Sequence, residues 1–175
     1  METTMKCNGL KYEEDKWNGE YSIRNYTNCY TYAINVMENP KTKEFFTDWK
    51  HVQPGNLGGV SSNFECWNIF GANNVEKLIS EFINAVQEDL KSMSYQIVPS
   101  TFEETVDEDS WKVALCFGSG DYHWYRLNDD GTWSHKQGRS SVCKGDNNGE
   151  IITNPETCNR GSYKTFVGFY MIKKL

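Results

Sequence analysis

The stretch Asp121-Tyr-His-Trp-Tyr-Arg-Leu-Asn-Asp-Asp-Gly-Thr-Trp-Ser-His-Lys136 reads as two strands joined by a tight turn. Asn128-Asp129-Asp130-Gly131-Thr132 has the composition of a type I turn followed by a glycine in the left-handed conformation, a three-residue loop that closes with a bulge. Loop length sets the register. With Asn128 opposite Thr132, Tyr125 faces His135 and His123 faces Gln137, so both imidazoles and the Gln137 amide share one face of the hairpin. Trp124 and Arg126 point the other way. A two-residue loop would set His123 against Lys136 and bring Ser134 to the shared face in place of His135; the glycine favours the bulged form.

Outward from this hairpin, Tyr95 to Val98, Lys112 to Phe117 and Phe166 to Ile172 are further strand-length runs bounded by Gly, Asp and Asn. The N-terminal half is helical instead. Val75, Leu78, Ile79, Phe82, Ile83, Val86 and Leu90 recur at three and four residues and predict a long core-facing helix, with Asn73 or Asn74 as its cap. A short helix is expected from Asn28, ended by Asn39-Pro40, and another over Lys41 to His51, with Gln53 to Gly59 as a glycine-rich loop. Helices first and strands afterwards predict an α+β fold with a mostly antiparallel sheet. One domain over 1–175 is expected, with residues 1–25 as an arm across its body and 138–162 as a Gly/Asn-rich loop insertion.

Cys29, in Tyr26-Thr-Asn-Cys-Tyr-Thr-Tyr-Ala-Ile-Asn35, falls where loop becomes helix. A helix N-terminus favours a thiolate, and the thiolate is the attacking form. A thiol nucleophile needs an imidazole within reach, itself oriented by a polar group. His123 is the candidate base, and His135 or Gln137 the neutral group that orients it. Taken singly, each residue has a structural explanation: free cysteine usually packs in a core, and a strand histidine is usually hydrogen-bonded. The conjunction of a helix-start Cys, a strand His and a polar residue on the next strand is what points to catalysis.

These residues and their order resemble the papain-like cysteine peptidase and amidase superfamily, in particular its compact NlpC/P60 and CHAP-type members. The resemblance covers roughly Tyr26 to Ile172 in layout, with its motifs confined to Cys29 and the hairpin. It implies N-terminal helices packed on the sheet, Cys29 as nucleophile, His123 as base and His135 as the orienting residue. The backbone N–H of Cys29, helped by a side chain such as Asn25 or Asn28, would stabilise the oxyanion. Asn28-Cys29-Tyr30 and the bulky Trp124-Tyr125 after the histidine differ from the peptidoglycan hydrolases of that group and point away from peptidoglycan.

Six tryptophans, ten tyrosines and nine phenylalanines in 175 residues supply a core despite 38% hydrophobic content. A net charge of −6 without a basic cluster argues against nucleic acid. The N-terminus lacks a basic n-region and an apolar h-region, and no run is long enough to span a membrane, so cytoplasmic residence or delivery as an effector is expected. The six cysteines form no zinc-ligand spacing; no metal or other cofactor is expected. Cys143 and Cys158 either pair across their Gly/Asn-rich segment or stay reduced. His51 reads as a cation at a helix end, the acidic run 103–109 as a solvated connection, Ser162-Tyr163 as surface, and Asp121 as a substitute orienter should the register differ. The expected function is a thiol hydrolase acting on a peptide, protein or small amide through a Cys29 acyl-enzyme. A deamidase or acyltransferase effector, or an aromatic-lined binding module without catalysis, are the alternatives.

Overall fold

The structure, a computed structural model, describes residues 9–47, 51–60 and 75–175. Strands β1 (Tyr95–Ser100), β2 (Trp111–Gly118), β3 (Asp121–Leu127), β4 (Trp133–Lys136), β5 (Val142–Cys143) and β6 (Thr165–Lys174) form one sheet in the order β1-β6-β2-β3-β4-β5, every neighbouring pair antiparallel. Among the described residues four helices precede it: α1 (Glu14–Gly19), α2 (Tyr21–Tyr26), α3 (Cys29–Ala33) and α4 (Val75–Lys91). The class is α+β.

The hairpin has the register that a three-residue loop sets. Leu127 pairs with Trp133 and Arg126 with Ser134, Asn128 N donates to Thr132 O (2.8 Å), and Gly131 sits at φ +84°. A side chain at Gly131 would be strained by that dihedral.

Both faces of the sheet are covered. On one, Phe82, Val86 and Leu90 of α4 pack with Val113, Leu115, Phe117, Tyr122 and Trp124, the Phe82 ring lying 5.0 Å from Tyr122 and 5.5 Å from Phe117. Alternation along the strands sends Ala114, Cys116, Tyr125 and Leu127 to the other face, against Trp133, Ile152, Phe169 and Met171.

Two expectations are corrected. Lys41 to His51 is not a helix in its described part: Asn39 Oδ1 caps the N–H groups of Lys41 and Thr42, Lys43 adopts φ +61°, and Glu38 bridges to Phe45, so the chain reverses direction at Pro40. Residues 48–50 of that segment lie outside the described residues, as do the proposed caps Asn73 and Asn74. The helix after Asn28 stops at Ala33, well before Asn39-Pro40, because Asn35 turns left-handed at φ +59°. The arm carries α1 and α2, whose Trp17 and Ile23 bury against Tyr32 and Val142.

Five residues cannot sustain a helix alone. Long-range donors hold α3 instead: Arg126 Nη1 donates to Tyr32 O (3.0 Å) and to Asn35 Oδ1 (3.2 Å), Trp111 Nε1 to Ala33 O (2.8 Å), and the Tyr32 hydroxyl is hydrogen-bonded to Ser134 Oγ (2.7 Å). The Arg126 guanidinium also lies 3.8 Å over the Tyr32 ring. The helix that begins with Cys29 is thereby bolted to the hairpin that carries His123.

The loop 53–60 follows the same logic. Asp89, fully buried in α4, accepts from Gly55 N (2.7 Å), Gly58 N (2.6 Å) and the Tyr30 hydroxyl (2.6 Å). Gly58 comes so close to α4 that a Cβ there would lie 2.6 Å from the backbone carbon of Glu88. Backbone cannot yield as a side-chain tip can, so Gly58→Ala is expected to destabilise the fold by about 2 kcal/mol. Urea denaturation checks it; an unchanged midpoint would show the loop free to move off α4.

Candidate active site

Asn28 starts the site. Its Oδ1 accepts from Thr31 N (3.0 Å) while Thr31 Oγ1 accepts from Asn28 N (2.9 Å), a reciprocal cap that fixes where Cys29 enters the helix. Below it, the buried Lys136 ammonium donates to Arg24 O (2.6 Å), Thr27 O (2.9 Å) and Gly138 O (2.6 Å), tying β4 to the end of α2 and the lead-in to Cys29. Burial lowers Lys136 to about 8, and the Cys29 thiol opposes that shift.

Between Arg126↔Ser134 and the mouth of the hairpin, β3 and β4 carry no paired residues, and Cys29 meets β3 there. Burial pushes its thiol up to about 12; the backbone N–H groups of Trp124 and Tyr30 and the Lys136 ammonium oppose the rise, and the Asp121 carboxylate adds to it. The expectation of a thiolate held by a helix N-terminus is thus corrected. A five-residue helix has little dipole to set against full desolvation.

His123 is 2% exposed and belongs to a directed chain. The Gly145 carbonyl can only accept, so His135 Nε2, at 2.8 Å, carries the proton. With burial lowering its pKa, His135 is neutral and its Nδ1 accepts; at 2.7 Å from it, His123 Nε2 must donate. The basic nitrogen of His123 is therefore Nδ1. Burial, and next His135, hold His123 well below its ordinary range, so it too is neutral at pH 7. Tyr163 stacks on the ring at 4.9 Å and donates to Asp121 Oδ2 (3.1 Å).

These groups line one cleft of about 480 Å³, with Asn28, Cys29, Gln53, Asp121, His123 and Tyr163 in its wall. Gln137 lines it too, but is exposed, and His135 takes the hydrogen bond from the His123 ring. Asn28 gives its amide to Val52 O (2.9 Å) and Asn25 its amide to Tyr21 O (2.9 Å); Asn25 stays within α2, away from the cleft wall. Each amide thus gives one of its two hydrogens to a backbone carbonyl. His51 does meet a carbonyl in the last turn of a helix, as expected of it, but the partner is Asn25 O of α2 (3.0 Å), not its own segment. Asp121 is bonded to Tyr163 and Tyr122 N rather than to an imidazole. Cys143 and Cys158 are free thiols, Cys143 Sγ lying 3.4 Å from His135 Nε2.

Two contributors escaped the sequence reading. Tyr163, a surface residue by sequence context, covers His123; its sign in the sequence is Gly118, whose absent side chain leaves room for the Tyr163 ring, a Cβ there falling 3.1 Å from it. Sequence places Gln53 only in a glycine-rich loop. Its Oε1 accepts from the Tyr122 hydroxyl, which leaves the Nε2 hydrogens for other acceptors at the cleft.

No group of three or more His, Cys, Asp or Glu among the described residues is placed to hold a metal ion, and none of their helices is long and apolar enough to cross a membrane. No family model matches the chain, and no solved structure does. A relative, Insoluble matrix shell protein 1 of Ruditapes philippinarum, is 29% identical over 160 residues, which span 91% of this chain and 87% of that protein.

Proposed function

We propose that the cleft is the active site of a thiol hydrolase of papain-like layout, cleaving an amide through an acyl-enzyme on Cys29. The observation that carries this reading is the one-way hydrogen-bond chain from His123 through His135 to the Gly145 carbonyl. It fixes one tautomer of a buried imidazole in the cleft that the buried Cys29 thiol also lines, the arrangement a general base requires.

Thiol and imidazole start neutral, so the proton moves as the bond forms. The Cys29 sulfur attacks the amide carbon, the carbonyl π pair moves to oxygen, and the thiol proton passes to His123 Nδ1. That proton then goes to the leaving nitrogen as the C–N bond breaks. A water resolves the thioester, giving its proton to His123 while the Cys29 sulfur departs and takes it back. An amine in place of water makes the same centre an acyltransferase. The Gln53 amide and the Cys29 backbone N–H are the donors available to the oxyanion.

The relative's name favours a second reading, a constituent of an insoluble matrix in which Cys29 only packs. Iodoacetamide at neutral pH separates the two. Under the catalytic reading Cys29 is alkylated faster than the more exposed Cys143 and Cys158, as read by peptide mass. Alkylation in order of exposure, with Cys29 behind Cys143 and Cys158, overturns it.

A further inference from the structure

Asp121 opens β3 at the edge of the cleft, two residues before His123. Its carboxylate is exposed yet fixed, Oδ1 by Tyr122 N (2.7 Å) and Oδ2 by the Tyr163 hydroxyl (3.1 Å), the same tyrosine that stacks on His123. Each oxygen keeps acceptor capacity. Among the described residues Asp121 makes no ion pair, the four that form joining other side chains, and no Lys or Arg side chain lines the cleft. The ammonium that acts on Cys29, Lys136, is fully buried on three carbonyls.

A carboxylate beside a thiol opposes its ionisation, and Asp121 has that effect on Cys29. A site built only to activate its nucleophile would leave this position neutral. A cation seated in the cleft reverses the sign: it binds the carboxylate and removes the field that disfavours the thiolate. Placed between Tyr163 and the start of β3, the carboxylate is oriented by a hydrogen bond to each of its oxygens.

We propose that Asp121 is the specificity residue of this cleft and that the substrate carries an ammonium or guanidinium group next to the bond presented to Cys29. This rests on the thiol-centre reading above and names its substrate class.

Three methanethiosulfonates of one chemistry and different charge test it: aminoethyl (cationic), sulfonatoethyl (anionic) and methyl (neutral). Each forms a mixed disulfide with Cys29 and releases methanesulfinate. Rates at Cys29, read by peptide mass, are divided by the neutral reagent's rate on the same protein. The cationic reagent is expected to outpace the anionic one by about tenfold at low salt, as a unit charge at short range acts with opposite sign on the two. The preference should shrink at about 1 M salt. Asp121→Asn brings the ratio to within about twofold of one, and Asp121→Glu restores it. A ratio that Asp121→Asn leaves intact, or an anionic preference in the wild type, overturns the assignment. Cys29 reactive and His123-dependent but blind to charge sinks this inference alone; Cys29 inert to every reagent, iodoacetamide included, sinks the thiol-centre reading and this one with it.

Discussion

Replacing His123 with Ala is expected to slow alkylation of Cys29 by about 100-fold at pH 7, the low end of what a positioned general base supplies, and to change the shape of its pH profile. Burial holds the Cys29 thiol near 12 and His123 well below its ordinary value, so across neutral pH both partners are uncharged. In the wild type the reactive pair is thiol plus neutral imidazole, whose populations hardly change from about pH 6.5 upward. The rate should therefore be flat there. In His123→Ala only direct ionisation of a buried thiol remains, and the rate should climb about tenfold per pH unit. A 100-fold deficit at pH 7 amounts to two such units, so the two profiles should meet near pH 9. A wild-type profile that follows the mutant's slope throughout would show that His123 takes no proton from Cys29.

What the chain displays openly is what short-range chemistry dictates. Asp129-Asp130-Gly131 fixes its turn through a dihedral that glycine tolerates, and the register follows, which is why the sequence alone sets the His123 and His135 rings on one face. The apolar period of α4 is equally local. The failures are long-range. Residues 41–47 have helix-compatible composition, but Asn39 and the bridge from Glu38 to Phe45 turn them aside. β5 has two residues and exists because His135 and Lys136 offer it an edge. The Gly145 carbonyl that sets both imidazole tautomers comes from the Gly/Asn-rich segment, where sequence gives composition and no geometry. The thiol's environment is illegible for a related reason: its pKa is raised first by burial, which depends on what packs over α3, and then by the Asp121 carboxylate of β3, neither of which is written in residues 26–35.

The loop behind the cleft depends on one carboxylate, and Asp89→Ala is expected to destabilise the protein by about 3–5 kcal/mol, roughly 10 °C in melting temperature. The cost comes from what the mutation strands. The Tyr30 hydroxyl and the N–H groups of Gly55 and Gly58 all donate to Asp89 in a fully buried place, and buried donors left without acceptors cost about 1–3 kcal/mol each before water or relaxation recovers part of it. Asp89→Asn should lie between, since its amide oxygen accepts but its nitrogen meets a second set of donors head on. The pH dependence has a definite sign. Burial raises Asp89 above 3.8 despite those hydrogen bonds, so the native state holds its proton where the unfolded chain has lost it. Its stabilisation is complete below about pH 3.8 and declines as pH rises through the native value. Removing the group removes that slope, and the deficit of Asp89→Ala should be larger in acid than at pH 7. Urea midpoints at about pH 4 and 7 measure it; a deficit that grows toward neutral pH would show that the donors, rather than burial, govern this carboxylate. Because loop 53–60 carries Gln53 to the cleft wall, the same variant should also slow Cys29 alkylation at temperatures where it is still folded. Stability and reactivity would then fall together through a residue that touches neither Cys29 nor His123.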